Sequence, residues 1–172
     1  FLLPCAVYYV FVTWGHWRDE TGLSFVILAG ISAATVAISI FLRQRFLADQ
    51  RVTFSRLELA GLVTNLLIYV NVLGLMVLHF EESKLIYFVL MAVVLSTSSV
   101  TGRTMVLSVA LAIGTLIVIA SGVSEATLEQ YMFIGVASSF AALGMAFLLR
   151  KAISRQVSAR RQERSSGSAS IL

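Results

Sequence analysis

Residues Tyr131 to Leu149 contain no charged side chain, and six cations, Arg150, Lys151, Arg155, Arg160, Arg161 and Arg164, follow at once. As a helix this run is about 28 Å long, close to the thickness of a bilayer's hydrocarbon core. Lys and Arg beside an apolar span favour the cytoplasmic side, so the C-terminal end is expected inside. The rest of the chain can be threaded from that anchor.

With 58% hydrophobic side chains and one proline in 172 residues, the chain carries more apolar surface than a soluble domain can bury. An all-α integral membrane protein follows, with the lipid bilayer as its first partner. The net charge of +4 gathers beside apolar runs. There it sets orientation and meets anionic headgroups, so no nucleic-acid partner is expected. Cys5 stands alone within the first apolar run, which excludes an intrachain disulfide and reads as a small packing residue. The chain starts at Phe1 rather than Met and is expected to lack its true beginning.

Six apolar runs are expected to cross, at about residues 1–17, 22–42, 59–79, 85–100, 104–121 and 131–149. With both termini inside, Arg43, Arg45, Arg51, Arg56 and Arg103 join the C-terminal cations on the cytoplasmic side, leaving Arg18 and Lys84 outside. The acids Asp19, Glu20, Glu81, Glu82, Glu125 and Glu129 all fall outside. Two independent distributions thus predict a six-transmembrane-helix bundle, N-in and C-in, at residues 1–149. Leu149, Ile153 and Val157 recur at four-residue steps, so the sixth helix is expected to continue as a basic cytoplasmic stalk over 150–164. Gln156 and Arg160 interrupt any heptad there. The serine-rich end, 165–172, reads as a flexible linker or tail.

No Asp, Glu, Lys or Arg lies deep in a span, which argues against a coupled carrier, and no P-loop, GxSxG or HExxH offers a catalytic centre. His16 and His79 close two odd-numbered spans and should share the outer face, near Glu81 and Glu82. Imidazole with carboxylate suits a metal, a haem or a pH-sensing pair, or the histidines simply face solvent. The sequence requires no cofactor. Asn65, Tyr69 and Asn71 place polar groups at membrane depth, and at about 100° per residue Asn71 is turned about 120° from Asn65. With the hydroxyls of Ser96 to Ser99, notably Ser96 and Ser98, they either join helices or line a cavity for a small amphipathic ligand. Gly30 with Ala34, and Gly135 with Ser139, offer small-residue faces for helix packing. Arg150, Lys151 and Arg155 are placed for lipid contact or signal relay.

The aromatic TWGHW before an acidic turn, the FLRQRF exit from the second run and the terminal FLLRKAISRQVSARRQER together resemble a bacterial membrane sensor module. Such modules precede the effector domains of sensor histidine kinases, diguanylate cyclases and class III adenylyl cyclases. The resemblance implies a bacterial inner-membrane location, a dimer, and a sixth helix that relays a signal to a cytoplasmic output domain in cis. That domain would be enzymatic, as in two-component or cyclic-nucleotide signalling, and no GGDEF, cyclase or phosphoacceptor motif lies within these residues. A different expectation is a small accessory subunit that docks on larger membrane partners; a channel or carrier is a third.

Overall fold

The structure is a computed structural model that describes residues 2–19, 21–48 and 53–169, with side chains at 2–18, 21–48, 53–156 and 158. Glu20, Arg51 and the last residues of the tail lie outside it, as do the side chains of Asp19, Val157, Arg160, Arg161 and Arg164. Six α helices follow in order: α1 (Leu2–Asp19), α2 (Gly22–Ala48), α3 (Phe54–Leu78), α4 (Ile86–Ser98), α5 (Gly102–Ser121) and α6 (Glu125–Ala169). A 3-10 turn, Glu82–Leu85, leads into α4, and there is no strand among the described residues. Helices satisfy their backbone groups internally, which is the requirement a bilayer imposes.

Four helices are long and apolar enough to cross a membrane: α2, α3, α5 and the Glu125–Gln156 part of α6. Two of the six expected crossings are not in this set. The last turns of α1 carry His16, Arg18 and Asp19, and α4 has only 13 residues. Alone, α4 is about 20 Å long; with the 3-10 turn ahead of it the rod reaches about 28 Å.

Local chemistry marks the joints. Gly22 opens α2 with φ +66, a left-handed conformation that disfavours side chains with a Cβ. At the start of α5 the Thr101 hydroxyl accepts from the Thr104 N–H at 3.1 Å, while the Thr104 hydroxyl accepts from the Thr101 N–H at 3.3 Å. This reciprocal capping box stops α4 from running into α5. Ser124 caps α6 by accepting from the Thr127 N–H at 3.1 Å.

The helices run antiparallel in sequence. α1 packs chiefly on α2, α2 on α3, and α4 sits centrally against α3, α5 and α6. The core follows from that centrality: Leu85, Phe88, Ala92 and Leu95 are sealed, together with Ala112 and Leu116 of α5 and Ala142 of α6. Gly135 lets α5 and α6 close, since a Cβ there would stand 3.3 Å from Leu116 and 3.4 Å from Ile113. The other small-residue pair behaves differently. Gly30 has open space around it and Ala34 is exposed, whereas α2 buries Leu28, Ser32, Thr35 and Ser39. Within the chain the packed face of α2 is therefore its hydroxyl face, because hydroxyls gain partners there and glycine does not.

The interior holds Ser, Thr and Asn from α2, α3, α4 and α5, while Phe133, Phe140 and Phe147 of α6 and Val118 of α5 face outward. Small polar side chains among the apolar core, with large apolar ones left outside, are compatible with a membrane protein.

Candidate functional site

Two polar centres occupy different interfaces of α3. Asn71 faces α2: its Nδ2 donates to Thr35 Oγ1 at 2.9 Å and to the Leu67 carbonyl at 2.8 Å, and its Oδ1 accepts from Ser32 Oγ at 2.7 Å. Asn65 faces α4 and α5: its Nδ2 reaches Ser99 Oγ at 3.1 Å, Ser108 Oγ at 3.3 Å and the Leu95 carbonyl at 3.4 Å. Its Oδ1 accepts from Ser98 Oγ at 2.5 Å. Tyr69 pairs its hydroxyl with Thr115 of α5 at 2.8 Å, and Ser96 donates back to the Val93 carbonyl at 2.7 Å. The five residues expected to line one space thus serve two separate interfaces and one helix backbone. Asn65, Tyr69, Asn71 and Ser98 have polar atoms bonded across helix interfaces and fasten helices together, while Ser96 is bonded within α4.

Asn71→Leu is expected to lower stability by about 1 to 2 kcal/mol, since Ser32 and Thr35 lose their cross-helix partner. Leu66→Ile, on the exposed side of α3, should stay within about 0.5 kcal/mol. Thermal unfolding in detergent compares them; equal effects would contradict the interior assignment of Asn71.

The Asn65 centre continues toward the bundle end where α4 stops, α5 starts and α6 departs. Arg150 of α6 donates from Nη2 to the Ser99 carbonyl at 2.6 Å, so Ser99 is held by α3 through its hydroxyl and by α6 through its carbonyl. Beside it, Thr101 Oγ1 donates to Glu58 Oε1 of α3 at 2.9 Å. Glu58 and the Arg150 bond were not foreseen as parts of a site. The signal for Glu58 was a single carboxylate one residue before an apolar run, where a helix rather than a loop already holds it. Lys151 and Arg155 follow Arg150 on the exposed surface of α6. The antiparallel order gathers Arg43, Arg45, Arg56, Arg103 and Arg150 at this one end.

At the opposite end, His16 lies in the last turn of α1 and His79 caps α3, its N–H donating to the Leu75 carbonyl. Both stand at the same end, with α2 packed between their helices. Glu82 is occupied by α6: its carboxylate accepts from Thr127 at 2.5 Å and its carbonyl from the Tyr131 hydroxyl at 3.1 Å. Lys84 pairs with Glu81 at 2.9 Å and donates to the His79 carbonyl at 3.3 Å. The Lys84 hydrogen bond and charge hold the Glu81 carboxyl below its ordinary pKa. A lowered carboxyl stabilises the fold above its unfolded pKa and loses that contribution as pH falls through the folded one; fully exposed, Glu81 adds little. Among the described residues no group of three or more His, Cys, Asp and Glu could hold a metal ion.

No family model, curated protein or solved structure matches this chain.

Proposed function

We propose that the chain is the membrane sensor module of a bacterial inner-membrane signalling protein, with six crossings and both termini cytoplasmic. It acts as a homodimer, detects a small molecule or the state of the bilayer, and relays that state through α6 to a cytoplasmic kinase or nucleotide-cyclase domain in cis. The observation that carries this reading is the attachment of α6 to α4 at two levels. Glu82 holds Thr127 and Tyr131 at one end, and the Ser99 carbonyl holds Arg150 at the other. From Tyr131 to Arg150 the helix rises about 28 Å, the depth of a hydrocarbon core, and α4 with its leading 3-10 turn matches it. This supports α4 as a crossing despite its short α-helical part.

Sliding of α6 along α4 breaks both attachments, whereas a swing about the Glu82 end breaks only the Arg150 bond. A charge-assisted bond of that kind contributes about 1.5 to 3 kcal/mol, a gap that a bound ligand or a changed bilayer can offset. Because Ser99 is also bonded to Asn65, strain among α3, α4 and α5 reaches the root of the stalk directly. The cations gathered at this end support its cytoplasmic placement.

Spin labels on Thr97→Cys and Ser154→Cys, in a Cys5→Ser background, test the swing. Across bilayers of different thickness, from pH 8 to pH 5, and with zinc, at least one condition is expected to change the distance by about 1 to 2 Å or more. An invariant distance under all of them contradicts a relay through α6.

A second reading, an accessory subunit docked on a larger complex, is favoured by the open surface at Gly30 and Ala34. Stoichiometric copurification of other membrane proteins from native membranes would select it.

A further inference from the structure

Between the end of α4 and the root of the α6 stalk lies a cleft of about 470 Å³, walled by Thr97 and Ser98 on one side and by Ala146, Leu149, Arg150 and Ile153 on the other. The guanidinium of Arg150 is half-buried and its Nη2 is fixed on the Ser99 carbonyl. Its Nη1 lies over the first residue of α5, 3.8 Å from where a Cβ on Gly102 would stand. No carboxylate among the described residues pairs with Arg150; the nearby Glu58 carboxylate accepts from Thr101 instead. A preoriented guanidinium with an uncommitted edge and no paired carboxylate is a receptor for an oxyanion.

The hydroxyls across the cleft do not supply further donors. Thr97 donates to the Val93 and Val94 carbonyls at 3.1 and 3.0 Å, and Ser98 to Asn65. Their oxygens remain as acceptors, which suits a ligand that carries hydroxyl donors as well as an anion. Ser99 and Ser154 complete the polar part of the lining, and Val100, Ala146, Leu149 and Ile153 make the rest apolar. Ala146 is buried, and Leu149 and Ile153 are exposed beside the cation. Inorganic phosphate gains nothing from that apolar surface, whereas an amphiphile covers both parts.

We infer that this cleft binds the phosphodiester headgroup of an anionic phospholipid, with its phosphate on the Arg150 guanidinium and its first acyl carbons along Ala146 and Leu149. The inference rests on the membrane placement proposed above. It also makes that lipid a competitor for, or a brace on, the bond between α6 and Ser99.

Native mass spectrometry of the chain released from nanodiscs of equal phosphatidylglycerol and phosphatidylcholine tests it. The wild-type chain is expected to retain phosphatidylglycerol about tenfold or more over phosphatidylcholine. Arg150→Gln should abolish the preference. So should Ile153→Glu, which sets a carboxylate three residues along the helix from Arg150 without removing its bond to Ser99. Arg45→Gln, exposed at the same end of the bundle but on α2 and outside the cleft, should keep it. Equal retention of both lipids by the wild type overturns the site, as does a preference that survives both substitutions. Displacement by millimolar inorganic phosphate overturns the lipid assignment. Failure of the wild-type chain to enter nanodiscs at all overturns the membrane reading itself.

Discussion

Asn65→Leu is expected to destabilise the bundle by about 2 kcal/mol, with the loss concentrated where α3, α4 and α5 meet. The amide bonds Ser98, Ser99 and the Leu95 carbonyl at the end of α4 and Ser108 of α5, and it is almost wholly buried. Hydrogen bonds between membrane helices average well under 1 kcal/mol, so the size comes from number rather than strength. The hydroxyls soften the blow, because Ser98 and Ser99 also donate to carbonyls of α4 at 2.8 and 2.6 Å. Ser108 has no such second bond among the described contacts, so Asn65→Leu combined with Ser108→Ala should cost less than the sum of the two alone. Reversible unfolding in mixed micelles measures this; strictly additive effects would mean that the two groups do not interact.

Phe88→Ala should cost about 2 to 3 kcal/mol, near or below the lower end of the range for burying an aromatic ring in a soluble core. Phe88 is sealed in the first turn of α4, against a core that α3, α5 and α6 share. In lipid the ring loses little by transfer, since acyl chains are as apolar as its neighbours. What remains is the cavity and the lost dispersion contacts. Phe140→Ala, on an outward face of α6, forms no cavity and should stay within about 0.5 kcal/mol. The contrast between these two phenylalanines, measured by thermal unfolding in one detergent, checks which side of the bundle is interior; equal losses would contradict it.

Hydropathy made the six helices legible, because uncharged runs separated by Arg-rich or acidic links leave the backbone no alternative in lipid. The turn of about 120° between Asn65 and Asn71 was legible too, and the two amides do face different neighbours. Which face of an apolar helix points inward was not. On α2 a small-residue row and a hydroxyl row lie side by side, and spacing alone favoured Gly30 and Ala34 over Ser32, Thr35 and Ser39. The choice depends on Asn71, which lies 39 residues from Ser32 and offers it a partner. The Arg150 bond was invisible for the same reason, since its acceptor is a backbone carbonyl 51 residues away. A cation after a span reads as an anchor whether or not it also holds a neighbouring helix.

The central claim is that the chain crosses six times with its cation-rich end in the cytoplasm. Single cysteines at Ser83 and Ser154, each in a Cys5→Ser background, report the two ends of the bundle, and both native side chains are exposed. With a membrane-impermeant maleimide on intact spheroplasts, the account predicts labelling at position 83 at once and at position 154 only after lysis. Labelling at 154 from outside, or at both positions from the same side, would contradict it.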